Sequence, residues 1–79
     1  MTTDTFEGVR GLIAGYLKIP LESIGVDSKL DDLGLDSLGA LELVFEIEER
    51  FKVKVPDEKI PEFRTVRAVC DGIEALRGA

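Results

Sequence analysis

Three stretches of the chain carry apolar residues at the spacing of an amphipathic α-helix, and this periodicity constrains the fold more than any other feature of the sequence. The stretches are residues 5–17, residues 37–51 and the residues after Thr65, which is a suitable N-cap. Their apolar positions are Phe6, Val9, Leu12, Ile13, Tyr16 and Leu17; Ala40, Leu43, Val44, Ile47 and Phe51; and Val66, Val69, Cys70, Ile73 and Leu76. Such stripes predict helices that pack together around one core.

The segments between these helices have no sustained period. Residues 18–35 contain Pro20, Gly25 and Gly34, which predicts a long loop between helices 1 and 2 with one short turn at residues 20–23. A brief helical turn is predicted at residues 57–60, ended by Pro61. We therefore predict an all-α fold, a small bundle of three main helices and one short helix, formed by one domain over residues 1–79.

The first helix also carries three glycines, Gly8, Gly11 and Gly15, on the side opposite its apolar stripe. Glycine lowers helix propensity by about 1 kcal/mol relative to alanine, so this helix is expected to depend on packing. The favoured interpretation is a solvent-exposed face. The alternative is that the glycines allow the close approach of a partner.

A tight acidic turn, residues 32–38 with the sequence DLGLDSL, precedes the second helix. Asp36 is a suitable N-cap because its carboxylate accepts hydrogen bonds from free N–H groups of the first helical turn. Ser37 is then the first helical residue, where unpaired N–H donors and the positive end of the helix dipole favour an anion. The turn therefore predicts a phosphorylated or phosphodiester-linked serine at position 37.

The second helix has an additional apolar stripe beside the one assigned to the core. This second stripe consists of Leu38, Leu41 and Phe45, and it is bordered by Glu42, Glu48 and Glu49. Large apolar groups among carboxylates are typical of a surface that a partner covers, since charge steers the encounter and apolar contact holds it. The alternative is that Leu38 and Leu41 simply cover the loop.

The acidity of the chain is concentrated around this helix. With 16 acidic and 10 basic residues the formal net charge is −6, and residues 27–49 alone hold eight acids against Lys29. This excludes nucleic acid and anionic membrane surfaces as expected partners and favours proteins with basic patches. The single Cys70, expected in the core, allows no internal disulfide, and no signal peptide or membrane-spanning run is visible, so we expect a cytoplasmic monomer.

Several chemistries fail for lack of the required residues. The chain has no histidine to activate Ser37, and a nucleophile elbow would need glycine at Leu35. Residues 27–38 have the length of a calcium-binding loop, but Lys29 and Leu38 occupy positions that require oxygen ligands. No Cys/His cluster for zinc is present. Neither a metal site nor an autonomous enzyme is expected.

The combination of DLGLDSL with the sequence LELV at residues 41–44 and with Glu48, Glu49 and Phe51 resembles the acyl carrier proteins of fatty-acid and polyketide synthesis. The resemblance covers nearly the whole chain. It implies that Ser37 carries a 4′-phosphopantetheine arm, donated by coenzyme A through a phosphopantetheinyl transferase, whose thiol holds acyl groups as thioesters. It also implies that Asp36 helps to position the transferase.

The resemblance implies further that acyl-transferring and acyl-modifying enzymes dock basic patches on Leu38, Leu41, Glu42, Phe45, Glu48 and Glu49. The acyl chain of such proteins folds into a cleft between the helices. By this resemblance the cleft is expected to be lined by Leu43, Val44, Ile47, Ile60 and Phe63.

The chain departs from the housekeeping fatty-acid carriers at several positions. Gly39 stands where they commonly have an acid, the helix end is basic at Arg50 and Lys52, and Pro61 alters the short helix. These departures favour a carrier of a specialised pathway. The rival hypothesis is an unmodified acidic helical module that binds a basic partner through residues 37–51.

Overall fold

The structure, a computed structural model, describes residues 3–77, so residues 1, 2, 78 and 79 of the predicted domain lie outside the described residues. It contains the helices α1 (Thr3–Leu17), α2 (Ser37–Phe51) and α3 (Val66–Leu76). Two 3₁₀ segments, Leu21–Ser23 and Asp57–Glu62, lie in the connections. The predicted all-α bundle with a long loop between its first two helices is therefore confirmed.

The core is formed where α1 packs against both α2 and α3. The connections add Ile24, Leu30, Leu35, Val55 and Phe63 to it. The helical side chains in it are Val9, Ile13, Leu43, Val44, Ile47, Val66, Val69, Cys70 and Ile73. Because full burial of such a side chain contributes about 1.5–3 kcal/mol, these residues anchor the connections to the core.

Two features of α1 differ from the prediction. The helix begins at Thr3, so Thr5 lies within it, where its side chain is completely buried and its hydroxyl donates a hydrogen bond to Glu74 of α3. Gly8 is buried, and a Cβ atom there would lie 2.6 Å from the Phe51 ring. A solvent-exposed position was therefore the wrong prediction for Gly8, because the helix turns this residue toward the end of α2.

Pro61 does not end the second 3₁₀ segment, which continues to Glu62. The segment consists of two successive turns. In the first, the N–H of Lys59 donates a hydrogen bond to the carbonyl of Pro56, and in the second the N–H of Phe63 donates one to the carbonyl of Ile60. Pro61 follows Ile60 at a turn position where no donor is needed and proline is favoured. The predicted stop was wrong because a proline at that position starts a new turn.

The loop between α1 and α2 closes the N-terminus of α3. The N–H groups of Val66 and Arg67 donate to the loop carbonyls of Ser28 and Val26, at 3.0 and 2.8 Å. The N–H of Ala68 donates to the Thr65 hydroxyl at 3.1 Å, as predicted for this N-cap. All the donors of the first turn are thus paired within the protein, so this helix end is unavailable to a ligand.

Candidate functional site

Ser37 is positioned by a turn whose two ends are anchored in the core. Leu30 and Leu35 are both nearly completely buried, and the N–H of Leu35 donates to the carbonyl of Leu30 at 3.0 Å. Between them Gly34 adopts a φ of 96°, which L-residues with side chains rarely adopt. The turn therefore brings Asp36 and Ser37 to the surface at a defined place.

The first turn of α2 has a cap but retains free donors. The Asp36 carboxylate accepts a hydrogen bond from the N–H of Gly39 at 2.7 Å, which confirms the predicted N-cap. Ser37 and Leu38 are exposed, and within residues 3–77 their N–H groups have no protein acceptor. Together with the helix dipole, these donors make the surroundings of the Ser37 hydroxyl favourable for a phosphate.

A surface groove of about 400 Å³ begins at Ser37 and runs toward the second 3₁₀ segment. Arg64 supplies a cation to it, while Asp31 and Asp36 supply carboxylates. Its apolar lining consists of Leu30, Leu35, Ala40, Ile60, Pro61 and Phe63. The groove thus has charged groups and an apolar surface next to the same hydroxyl.

Two of the five residues predicted to line an acyl cleft lie at this groove, and that it accepts an acyl chain stays a prediction. Ile60 and Phe63 line the groove at Ser37, whereas the side chains of Leu43, Val44 and Ile47 are nearly completely buried in the core. The helical pattern placed these three on the inward face correctly, and their burial in the core keeps them out of the groove. The loop residues Leu30 and Leu35, which precede α2 in the chain, line the groove instead.

Tyr16 of α1 reaches the start of α2. Its hydroxyl donates a hydrogen bond to the Glu42 carboxylate at 2.7 Å, and this bond raises the pKa of the Tyr16 phenol. A Cβ atom on Gly39 would lie 3.3 Å from the Tyr16 ring and 3.1 Å from the Asp36 carboxylate. The absence of a side chain at Gly39 therefore provides the space that the Tyr16 ring occupies beside α2. The predicted core position of Tyr16 is wrong, since 42% of the residue is exposed.

The second apolar stripe of α2 lies on the surface, as predicted. Leu38 is 66% exposed, Phe45 57% and Leu41 37%, while Glu42 and Glu49 are exposed beside them. The high exposure of Leu38 contradicts the alternative that this residue covers the loop, whereas for Leu41 the alternative is not contradicted. The stripe is a free apolar surface within an acidic region.

Glu48 differs from the other residues predicted for docking. It is half-buried, and its carboxylate accepts a hydrogen bond from the N–H of Val55 at 2.8 Å. The end of α2 is thereby tied to the segment that leads into the second 3₁₀ turn. The structure thus gives Glu48 a role in the fold, whereas its role in docking stays a prediction.

Comparisons with known proteins agree with this arrangement. The family model described as the phosphopantetheine attachment site matches residues 7–73. A protein named acyl carrier protein from Treponema denticola is 42% identical over 73 residues, which are 91% of this chain and 94% of the relative. The chain belongs to the acyl carrier protein family. An acyl carrier protein of Helicobacter hepaticus is 37% identical and covers 91% of this chain and 96% of its own length.

Solved structures of the acyl carrier protein family share the fold. The hexanoyl acyl carrier protein of the actinorhodin polyketide synthase from Streptomyces coelicolor superimposes with a TM-score of 0.78 at 25% identity, covering 99% of this chain and 92% of that chain. The acyl carrier protein of Thermotoga maritima gives a TM-score of 0.69 at 24% identity, covering 90% and 92%.

Membership of the family confirms the predicted cofactor, because the matched region is a phosphopantetheine attachment site. An acyl carrier protein is a carrier, and its partners are enzymes that handle acyl groups. None of the helices in the described part of the chain has the length and apolarity needed to cross a bilayer. Within residues 3–77 no group of three or more Cys, Asp or Glu residues is placed to hold a metal ion.

The single cysteine lies away from the site. Cys70 is completely buried in α3, which confirms the prediction of a core residue, and burial raises the pKa of its thiol to about 11. A protonated, inaccessible thiol does not exchange with thioesters at neutral pH. Cys70 is therefore inert toward the chemistry of an acyl carrier protein.

Two residues at the site were missed by reasoning from the sequence. Tyr16 was assigned to the core because it continues the apolar stripe of α1, and Arg64 was assigned no role. The signal for Tyr16 was the absence of a side chain at Gly39, one turn before Glu42. Nothing in the local sequence indicated that Arg64 would line the same groove as Ser37.

Proposed function

We propose that the Ser37 hydroxyl carries the 4′-phosphopantetheine arm and that the chain presents acyl intermediates of fatty-acid, polyketide or related lipid synthesis as thioesters. The observation that carries the proposal is the exposure of Ser37 at a helix start where, within the described residues, the N–H groups of Ser37 and Leu38 have no acceptor. Arg64 in the adjacent groove adds a guanidinium group suited to a phosphate. The phosphopantetheine group supplies a flexible arm ending in a thiol.

Attachment requires a separate catalyst. The Ser37 oxygen forms a bond to the pantetheine-bearing phosphorus of coenzyme A, the pyrophosphate bond breaks, and adenosine bisphosphate leaves. We assign the base that accepts the serine proton to the transferase, because this chain has no histidine to serve as one. The carrier itself holds the oxygen exposed at a fixed position and surrounds the new phosphodiester with donors.

Asp36 is proposed to have two functions. Its carboxylate caps α2 through the N–H of Gly39, which keeps Ser37 at the helix start. Its exposure next to Ser37 supports a second role in positioning the transferase, which acts with a divalent metal. A carboxylate is the ligand type that such a metal prefers.

The proposed docking surface consists of Leu38, Leu41, Glu42, Phe45, Glu48 and Glu49. The exposure of its three apolar residues supports it, and so does the absence of a basic ion-pair partner for its acids within the described residues. A partner with a basic patch gains both steering and apolar contact there. Charge and apolar area together favour an enzyme surface over a nucleic acid or a membrane.

The remaining features are consistent with a single-domain carrier over residues 1–79. The buried free thiol of Cys70 supports a reducing compartment, for which we propose the cytoplasm. The clustered negative charge supports a monomer, since two copies would repel each other through this face. Gly39 and the ring of Tyr16 beside it support a specialised pathway, because they reshape the helix start where the housekeeping carriers have an acid.

The test is an intact mass measurement after incubation with coenzyme A, magnesium and a broad-specificity phosphopantetheinyl transferase. We expect the mass of one phosphopantetheinyl group to be added to the wild type and none to Ser37→Ala. Absence of the gain, or its persistence in Ser37→Ala, contradicts the proposal. Either result favours the rival hypothesis of an unmodified acidic interaction module.

A further inference from the structure

A second groove, distinct from the one at Ser37, lies between α1 and α2. Its volume is about 460 Å³. Gly11, Leu12, Gly15 and Tyr16 form its α1 side, and Phe45 forms the apolar part of its α2 side. Its acidic residues are Glu42 and Glu46.

The groove exists because α1 has glycines at two positions one turn apart. No atom lies within 4 Å of a Cβ placed on Gly11 or on Gly15, so both positions border empty space. Gly11 and Gly15 differ in this respect from Gly8, where a Cβ would meet the Phe51 ring. The fold therefore requires glycine at position 8 for packing, whereas at positions 11 and 15 glycine only leaves the groove open.

The charges beside the groove indicate what it accepts. Glu42 and Glu46 are four residues apart on one helix face, about 6 Å along its axis. Within the described residues neither has an ion-pair partner, and the Tyr16 hydroxyl engages one oxygen of Glu42. Two carboxylates at this spacing match two basic side chains that are one turn apart on another helix.

We propose that this groove is a docking site for a basic amphipathic helix of an acyl-handling enzyme, which inserts one bulky apolar side chain between α1 and α2. The proposal rests on the proposed function, since the partner is an enzyme served by the carrier. A second copy of this chain is a poor occupant because each copy has a net charge of −6. Anionic lipid and free fatty acid are repelled by the same carboxylates.

The site extends the partner contact beyond the stripe on α2. Phe45, which is 57% exposed, belongs to both surfaces, so that one partner can cover the stripe and fill the groove. The contribution of α1 then distinguishes partners that carry a suitable apolar side chain from those that recognise only the acids of α2.

The test uses a synthetic stapled helical peptide with one Phe between two Arg residues four positions apart. Titrated into the ¹⁵N-labelled protein, it should shift the amide signals of Gly11 and Gly15 and leave those of Gly25 and Gly72 unchanged. Gly11→Leu should weaken peptide binding about tenfold or more, because it fills the space that the Phe enters. The matched control Ala75→Leu adds the same side chain to the exposed surface of α3 and should bind as the wild type does.

The outcomes separate the groove from a general attraction of charges. Undiminished binding to Gly11→Leu, shifts that map elsewhere, or equal binding by a peptide with Ala in place of Phe each overturn the proposal. Thermal unfolding of both variants shows that their folds are intact. Loading of wild-type Ser37 by the transferase is measured in parallel, so that loading without peptide binding overturns the groove alone, and peptide binding without loading overturns the proposed function.

Discussion

The N-termini of α2 and α3 begin with similar chemistry and have opposite surroundings. Each follows an oxygen-bearing cap, Asp36 or Thr65, that accepts a hydrogen bond from the N–H three residues later. At α3 the loop accepts hydrogen bonds from the N–H groups of the first two helical residues, Val66 and Arg67. The side chain of Val66 is completely buried. At α2 the corresponding donors have no acceptor in the described chain and the first residue, Ser37, is exposed.

This difference shows what a capping residue does and does not decide. A cap starts the helix and pairs one donor, but the remaining donors become an anion site only where no other segment reaches them. The loop that leads to Ser37 is the same loop that closes α3. One segment thus leaves one helix end open and seals the other.

The largest expected effect comes from substituting the first residue of each helix with alanine. Val66→Ala should lower the free energy of unfolding by about 2–4 kcal/mol, because it removes two buried methyl groups and leaves a cavity. Ser37→Ala should change it by less than about 0.5 kcal/mol, as expected of an exposed position. Urea denaturation of the unmodified protein measures the free energy of unfolding of both variants. Similar losses in the two variants would contradict the contrast between a buried first residue in α3 and an exposed one in α2.

The contrast extends to the two nucleophilic side chains, the exposed Ser37 and the buried Cys70. The unfolded thiol ionises near pH 9.0 and the folded thiol near pH 11, so this contribution to stability is complete below pH 9 and is lost as the pH rises to 11. The expected loss is about 2–3 kcal/mol, at about 1.4 kcal/mol per pKa unit.

The control for this effect is Cys70→Ala, which lacks the thiol and therefore lacks this pH-dependent loss of stability. Chemical denaturation at pH 8, 9, 10 and 11 gives the two pH profiles, and their difference isolates the thiol from the other groups that titrate in this range. Parallel profiles would mean that Cys70 is accessible in the folded state.

A smaller effect separates the cap of α2 from its charge. Asp36→Ala should destabilise the protein by about 1 kcal/mol, since the N–H of Gly39 loses its acceptor. Asp36→Asn keeps an acceptor and should retain most of that stability. Initial rates of loading by the transferase then report on the carboxylate charge alone, and equal rates for Asp36→Asn and the wild type would remove it from the positioning of the transferase.

The smallest expected effect concerns the surfaces of the same two helices. Glu49→Lys on α2 should weaken transferase binding a few-fold at low salt, with a smaller difference at high salt because exposed charges are screened. Asp71→Lys on α3 makes the same charge change on an exposed residue away from the acidic face and should have little effect. Glu49 is preferable to Glu48 here because reversing Glu48 also breaks its hydrogen bond to Val55.

Much of the molecule was predictable because it depends on local spacing. Apolar periodicity placed the three helices, and α2 has the predicted bounds of residues 37–51. The acid before Ser37 indicated the cap, and the position of Leu38 and Phe45 outside the core arc indicated their exposure. Each of these properties follows from residues within a few turns of one another.

The features that were missed or wrongly predicted involve segments that are far apart in the chain. Gly8 was expected on the surface but packs against Phe51. Tyr16 was expected in the core but donates a hydrogen bond to Glu42 at the surface. Arg64, assigned no role, lies in the groove at Ser37. Helical periodicity gives the direction of a side chain but not which distant residue will meet it.

The sequence by itself determined the helices, the N-cap at Asp36 and the acidic character of the surface around Ser37, because propensity, capping and charge are properties of neighbouring residues. Only the tertiary structure decided which helix end stays open and where the grooves lie. Those outcomes depend on how the loop of residues 18–36 packs against α3 and how α1 packs against α2. The physical reason is that a backbone donor is available only if folding brings no other acceptor to it.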